Sequence, residues 1–342
     1  MEDYTIRCAD SIMNEAVKEG ASLIHSASDH SIGIAAAMVS KSLGIPFIYE
    51  MRGIWALSRA ANNPQFRFDP RFRILMKLEK QCAEAADVVV TLSEGMRGLL
   101  IDWGIEGRKI VVIPNGASAE MFSPIERDGN LASELGLNGQ IVFGYIGSIV
   151  PYEGLRDLII AIGMIPKRVR KRIKIVIVGD GTDRESLENL VEEADLGGNF
   201  VFTGKVKHEE IANYYSIIDA IIVPRSSEEV CDPGPPLKPL EAMAMGKPVI
   251  CSDVAPAVEL IRGNFNGVLF RKDDPSSLAD VVVDVTSNLE KYRKIGEKSR
   301  EWVNKNRKWD VLADRIGDIY LMLRMSKLAS HRTHRVKEIS DL

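Results

Sequence analysis

Arg225, Lys238 and Glu241 fall within one stretch, IIVPRSSEEVCDPGPPLKPLEAMAMGKPVICSD (221–253), whose pattern suits anion chemistry. An apolar β-type run, Ile221 to Val223, stops at Pro224-Arg225. A Gly- and Pro-rich loop then leads to a helix with Pro239 just inside its start, Glu241 in its first turn and Gly246 just past its end. Proline at the start and glycine past the end is the expected asymmetry of a helix. A second buried strand, Pro248 to Cys251, follows. A helix N-terminus presents unpaired backbone N–H groups and a positive dipole end, and here Arg225 and Lys238 flank it. A phosphate or diphosphate is the natural guest. Each residue also has a plainer role: Arg225 as a loop charge, Lys238 as a solvated lysine, Glu241 as a partner of the helix dipole. Together, on a strand–loop–helix–strand frame, they favour a ligand site.

The elements that position such a site alternate along the chain. Helix patterns cover about 6–19 and 32–42, with an apolar run at 22–25 between them and a strand at 45–49 after them. A long helical stretch near 72–86 is followed by a strand at 87–92, a helix from Ser93-Glu94 and a strand at 109–113. After Asn115-Gly116 the pattern lapses until about Leu135, which marks a domain boundary. A second α/β unit follows: strand 141–146, helix 155–165, strand 173–178, helix 184–193, strand 200–202, helix 209–217 and strand 220–223. Trp309, Leu312, Ile316, Ile319, Tyr320 and Leu323 recur at helical spacing near the end. Alternating strands and helices predict parallel, doubly wound sheets.

Composition narrows the class. A chain of 342 residues is long for a single core, so two domains are expected. The net charge of −4 and the pI near 5.9 argue against a general nucleic-acid binder, which needs a basic footprint. Cys8, Cys82, Cys231 and Cys251 are scattered without C-x-x-C spacing, as expected of reduced thiols in a cytoplasmic protein rather than a zinc site or disulfide framework. No apolar run approaches the ~18 residues of a transmembrane helix. The N-terminus lacks a signal-peptide pattern.

Several blocks, in order, carry a resemblance: GIPFIYEMRGIW (44–55), AADVVVTLSEGM (85–96), IPNGA (113–117), GYIGSIVPYEGLRDLIIAI (144–162), IVIVGDG (175–181), FTGKV (202–206) and PLKPLEAMAMGKPVICSDV (236–254). Together they resemble glycosyltransferase family 4, the GT-B enzymes of glycosyltransferase group 1, over nearly the whole chain. The resemblance implies two Rossmann-like domains facing across a cleft, the C-terminal one for a nucleotide-diphosphate sugar and the N-terminal one for the acceptor. It also implies a last helix that crosses back to the first domain. The corresponding expectation is an acceptor-side domain at 1–124, a nucleotide-sugar domain at 125–305, a returning helix at 306–330 and a polar, frayed tail at 331–342.

The implied chemistry retains anomeric configuration. Fixed cations stabilise the charge left on the diphosphate, and that diphosphate helps to deprotonate the acceptor hydroxyl. No metal or other cofactor is implied, and no Asp-x-Asp motif is present. Arg225 and Lys238 take the catalytic role of clamping the diphosphate. Gly147 matches the glycine that lets the backbone approach it, with Ser148 beside it. Lys205 and Val206, with Lys207, match the base-reading loop. Glu241 matches the glutamate that binds the ribose, and Leu237, Pro239 and Leu240 share its stretch. The implied partners are a sugar nucleotide, uridine-based, and a glycan or lipid-linked acceptor in polysaccharide or glycolipid assembly. The implied location is the cytoplasm or the inner face of the cell membrane, with peripheral membrane contact possible.

The match has departures. Pro233 stands where the family often has a first glutamate, and Ser148 and Glu153 where it often has arginine and lysine. Glu153 is of the wrong sign for a diphosphate ligand, so Arg225 and Lys238 are expected to replace the missing cations. Ser118 stands where an aspartate often follows Asn-Gly. Before the His25 strand, the strand and Gly-rich turn of a full member are not found, so the first domain is expected to be incomplete. The chain then reads as a fragment, a split gene or a start at an internal Met, with weak or no activity alone.

On the acceptor side, Glu50, Arg52 and Trp55 follow Tyr49 at a strand end where ligands bind in open sheets. Glu50 and Arg52 either contact acceptor or pair with each other. His25 resembles a family histidine at a strand end, although a packed role suits both His25 and His30. The run FRFDPRFRILMKLEK (66–80) either rests on anionic membrane or forms a helix with a solvated basic face. KRVRKRIK (167–174) reads as an exposed turn. Two rival functions stay open: a non-catalytic sugar-nucleotide-binding subunit needing a separate N-terminal half, and a GT-B sugar-nucleotide epimerase. A dinucleotide oxidoreductase does not fit, because Gly179-Asp180-Gly181 lacks the third glycine of that fingerprint.

Overall fold

The computed structural model describes residues 2–118, 120–137 and 139–340. The chain forms two compact units: Met1–Pro114 with Asp310–Leu342, and Asn115–Trp309.

In the first unit, β1 (Ile24–Ala27), β2 (Phe47–Met51), β3 (Val88–Thr91) and β4 (Ile110–Val112) form a parallel sheet in that order. The order never reverses, so this sheet departs from the doubly wound expectation. Each right-handed crossover then adds its helix to the same face. That face carries the helices His30–Leu43 and Pro70–Ala85. Tyr49 of β2 reaches the second of them, its hydroxyl donating to Glu79 Oε2 at 2.5 Å. The other face buries Ile48, Val88 and Val90 against Leu312, Ile319 and Leu323. Those three belong to the helix Trp309–Ser340, whose apolar positions recur once per turn. Trp309 is exposed and lies outside this seam. The helix continues through Ser340, so the backbone of 331–340 is helical where a frayed tail was expected; residues 341 and 342 lie outside the described residues. Glu2–Lys18 is a helix packed on His30–Leu43 through Ala9, Ala16, Ala35 and Val39.

In the second unit, β5 (Ile141–Ile146), β6 (Ile173–Val178), β7 (Phe200–Gly204), β8 (Ala220–Val223), β9 (Val249–Ser252) and β10 (Val268–Phe270) form one sheet. Its order is β10-β9-β8-β5-β6-β7, with every pair parallel. The strands are mostly apolar runs rich in Ile and Val, as burial on both faces requires. The order runs outward in both directions from β5 and β8, which is the doubly wound arrangement. The helices Leu155–Met164 and Pro275–Ser287 pack together over one face of the sheet in a single core that includes Ile159, Ile162, Val282 and Val285.

Candidate active site

β5 and β8 are neighbours from which the sheet is built in opposite directions, so a crevice opens beyond their C-terminal ends. β5 ends at Ile146 and delivers Gly147 and Ser148 there; β8 ends at Val223 and delivers Pro224 and Arg225. Gly147 has φ 152°, and a β-carbon on it would fall 2.1 Å from Lys238 Cε. The dihedral favours glycine, and the Lys238 side chain would have to shift to admit a β-carbon. Gly154, at φ 72°, ends the turn Pro151–Glu153, and a β-carbon on it would meet the Pro224 carbonyl oxygen at 1.9 Å. This turn is therefore seated on the loop that carries Arg225.

That seating brings Glu153, only 4% exposed, between the two cations. Lys238 Nζ lies 2.8 Å from Glu153 Oε1, and Arg225 Nε lies 3.5 Å from the same oxygen. Arg225 Nη1 donates to the Gly234 carbonyl at 2.5 Å, and its guanidinium sits over the Tyr152 ring. Lys238 Nζ lies 5.1 Å from the centre of the Tyr145 ring, whose hydroxyl donates to the Ser148 carbonyl. Burial alone would raise the Glu153 carboxyl, but Lys238 and Arg225 outweigh it and hold the group below its ordinary value. Burial lowers Lys238; Glu153 opposes that shift but leaves the ammonium below its ordinary value. Glu153 Oε2 and Arg225 Nε are buried without a hydrogen-bond partner among the described residues. Two cations against one carboxylate leave the cluster with one net positive charge. Sequence reasoning missed Glu153, which it counted only as a wrong-signed loop residue.

Gly147 and Ser148 also line a recess of about 530 Å³ with Gly179, Asp180, Lys205 and Val206. Lys205, Val206 and Lys207 border a second recess of about 610 Å³ beside it. Neither Arg225 nor Lys238 lines the first recess; Lys238 adjoins it through the Gly147 backbone. Glu241 accepts a hydrogen bond from the Tyr215 hydroxyl at 3.1 Å, and burial raises its carboxyl.

The helix Lys238–Ala244 offers less than its sequence implied. It has seven residues, and the Leu237 carbonyl already accepts the N–H groups of Leu240 and Glu241. Pro239 has no N–H. Pro239 and Leu240 are buried, whereas Leu237 is exposed. The positive character here comes from Arg225 and Lys238 rather than from the helix dipole.

In the first unit, His25, the second residue of β1, meets Glu50 and Arg52 from the C-terminal end of β2. Glu50 pairs with Arg52 through two hydrogen bonds, at 2.9 and 3.1 Å, and with His25 Nε2 at 3.3 Å. Burial would raise the Glu50 carboxyl, but His25 and Arg52 overcome it and hold the group at about 2. His25 Nδ1 lies 2.7 Å from the Tyr320 hydroxyl, a partner that sequence reasoning placed only on the packing seam of the last helix. Trp55 starts the helix Trp55–Asn62 and is 65% exposed. His30 is a packed histidine, bonded to Glu79 by its backbone and its ring. In 66–80, Arg59 stacks on Phe66 and Arg67 on Phe72, while Phe68 is exposed. Residues 167–170 form a short exposed helix. All four cysteines are free thiols, and among the described residues no cluster of His, Cys, Asp and Glu could hold a metal ion.

Residues 129–302, about half of the chain, match the family model for glycosyl transferases group 1, and residues 11–116 match that for a glycosyl transferase 4-like domain. The chain belongs to the glycosyl transferases group 1 family. An uncharacterized glycosyltransferase of Methanocaldococcus jannaschii is 27% identical over 288 residues, covering 84% of this chain and 72% of the relative. A GDP-mannose-dependent alpha-(1-6)-phosphatidylinositol monomannoside mannosyltransferase of Mycobacterium tuberculosis is 26% identical over 242 residues, 70% of this chain and 63% of the relative. Against another M. jannaschii glycosyltransferase, this family member spans 55% of the relative's length. Its fold is that of sucrose-phosphate synthase from Thermosynechococcus elongatus, with a TM-score of 0.78, 24% identity and coverage of 93% of this chain and 77% of the other. Anabaena Alr3699/HepE in complex with UDP-glucose gives a TM-score of 0.75 at 20% identity, over 92% and 82% of the two chains. Among the described residues, no helix of this glycosyltransferase family member is long and apolar enough to cross a membrane.

Proposed function

We propose that this chain moves a sugar, with retention, from a uridine diphosphate donor to a glycan or lipid-linked acceptor. The observation that carries the proposal is buried Arg225 beside partly buried Lys238, against Gly147 at the sheet reversal. The diphosphate sits on the Gly147–Ser148 backbone, with the base toward Lys205 and Val206 and the ribose at Glu241. As the bond from the anomeric carbon to the leaving phosphate oxygen breaks, its electron pair passes to the diphosphate. The fixed charges of Arg225 and Lys238 stabilise that pair. The acceptor hydroxyl attacks on the same face and gives its proton to the leaving phosphate oxygen. Glu50, Arg52, Trp55 and His25 contribute on the acceptor side. The exposed Phe68 beside Arg67, Arg71 and Arg73 supports peripheral contact with the inner face of an anionic membrane. A uridine base is supported by the UDP-glucose complex of the Anabaena protein, while the mycobacterial relative is named for GDP-mannose.

Calorimetric titration with UDP, GDP and ADP tests the donor site, with Arg225→Ala alongside. Micromolar binding of UDP, lost in the variant, is expected. Preference for GDP replaces the base assignment alone. No binding of any of the three to the folded chain overturns the donor site.

A further inference from the structure

We propose that Glu153 is the positioning residue of the pocket, a buried counter-ion that keeps Lys238 charged and in place before any ligand arrives. This rests on the donor-diphosphate assignment above. Three separate elements converge to build the contact: the turn after β5 supplies Glu153, the loop after β8 supplies Arg225, and the helix Lys238–Ala244 supplies Lys238. Glu153 spends one oxygen on both cations, at 2.8 and 3.5 Å, and is itself almost fully buried. Arg225 is anchored elsewhere as well, on the Gly234 carbonyl. For Lys238, Glu153 is the salt-bridge partner.

An ammonium removed from water tends to shed its proton, and a neutral amine is a poor phosphate ligand. The groups facing Lys238 are Glu153 from the turn, Arg225 from the β8 loop, Glu241 from its own helix and the Tyr145 ring from β5. Arg225 pushes the ammonium toward deprotonation, as burial does; Glu153 and Glu241 oppose it, Glu153 the more strongly. The Tyr145 hydroxyl stays protonated, because burial and then Glu153 push it well above its ordinary value. Without Glu153, Lys238 would lie beside Arg225, largely removed from water, with one weaker anion to hold its charge. A diphosphate entering that site would first have to recharge it.

The consequence is proton linkage. With Lys238 held charged by Glu153 before and after binding, UDP affinity should stay within about twofold over roughly pH 7 to 9, and no proton should be taken up through this group. In Glu153→Gln, affinity falls by up to about tenfold per pH unit in that window, with uptake approaching one proton per UDP. Titrations of UDP in buffers of different ionisation enthalpy measure both quantities. Glu153→Asp keeps the charge and should return the flat profile. Lys238→Met added to Glu153→Gln should abolish the uptake. A merely structural role for Glu153 would change affinity without changing its pH slope. If Glu153→Gln does not fold, NMR of 13C-lysine-labelled parent chain decides: an ammonium signal for Lys238 at pH 8 supports the proposal, and a neutral amine overturns it. A parent that binds UDP, with the same pH slope in Glu153→Gln, overturns the Glu153 role alone. A parent that binds no nucleotide overturns the donor site beneath it.

Discussion

Replacing Lys238 by methionine removes one charge while nearly keeping the length of the side chain. The parent cluster holds Arg225, Lys238 and Glu153, a net of one positive charge; the variant holds Arg225 and Glu153, a net of zero. A unit charge about 4–5 Å from a phosphate, at an effective dielectric near 20, is worth about 3–4 kcal/mol. UDP affinity should therefore fall by about 100- to 1,000-fold. Charge counting then makes a less obvious claim about the double variant. Lys238→Met with Glu153→Gln leaves Arg225 alone, again a net of one positive charge, and should recover affinity to within about tenfold of the parent at neutral pH. Calorimetric titration at fixed low salt measures all three, with thermal unfolding to show that each is folded. Lys238→Met binding UDP within threefold of the parent would refute the electrostatic account, as would a double variant no better than the single one.

Glu241→Ala should weaken UDP by about 1–2 kcal/mol, the worth of a hydrogen bond or two to a sugar hydroxyl, and should also lower the thermal midpoint because the buried Tyr215 hydroxyl loses its acceptor; an unchanged Kd removes Glu241 from the site. Glu50 has a folded-state carboxyl at about 2 against an ordinary 4.5, so the stability it contributes is fully present above 4.5 and lost as pH falls toward 2. Acid unfolding of the parent should therefore be steeper across that window than that of Glu50→Gln, and identical curves would deny the pairing with His25 and Arg52. Ile319→Ala empties a buried position between the last helix and the first sheet and should cost about 2–4 kcal/mol in urea unfolding; a cost below about 1 kcal/mol would deny that packing. Gly154→Ala must leave φ 72° and a 1.9 Å approach to Pro224, so it should unseat Glu153 and lower both UDP affinity and stability; parent-like values for both would show that the turn is not seated as described.

The second sheet was legible because its strands are buried on both faces. IVFGYI, IKIVIV and AIIV stand out as apolar runs, and their observed bounds are those read from the sequence. The helix Gly129–Glu134 was not legible, since six residues carry no period; its signal is the Asp128 cap, which accepts from Leu131 N at 3.0 Å. The helix Trp55–Asn62 was hidden by the strand-like run before it and has no capping side chain. Within the candidate site, Arg225 and Lys238 were suggested by type and spacing, because cations around a helix start have a local cause, and Gly147 by the family resemblance. Glu153 could not. Its role depends on the turn Pro151–Glu153 landing on the β8 loop, a contact between strands that are neighbours only after the sheet forms. Tyr320 is similar: it reaches His25 across 295 residues of sequence.

The Glu153 arrangement also bears on why a phosphate pocket would contain a carboxylate at all. Two buried cations without an anion repel each other and lose their hydration, and the lysine is the one that can escape by losing a proton. A buried ion cluster of this kind is poor evidence for stability, because well-packed apolar residues often serve as well. Its value lies in holding one arrangement. Glu153 gives Lys238 a fixed partner at 2.8 Å, and the Gly147 backbone lies close against the end of the lysine side chain. On the proposed reading, the charge is preorganised beside the recess, and little rearrangement would be left for the step in which charge develops on the leaving group. If that is the purpose, stability and binding must separate. Replacing all three charged residues with a packed apolar set should leave the unit folded while abolishing UDP binding, whereas replacing Glu153 alone should leave binding in place but tie it to pH.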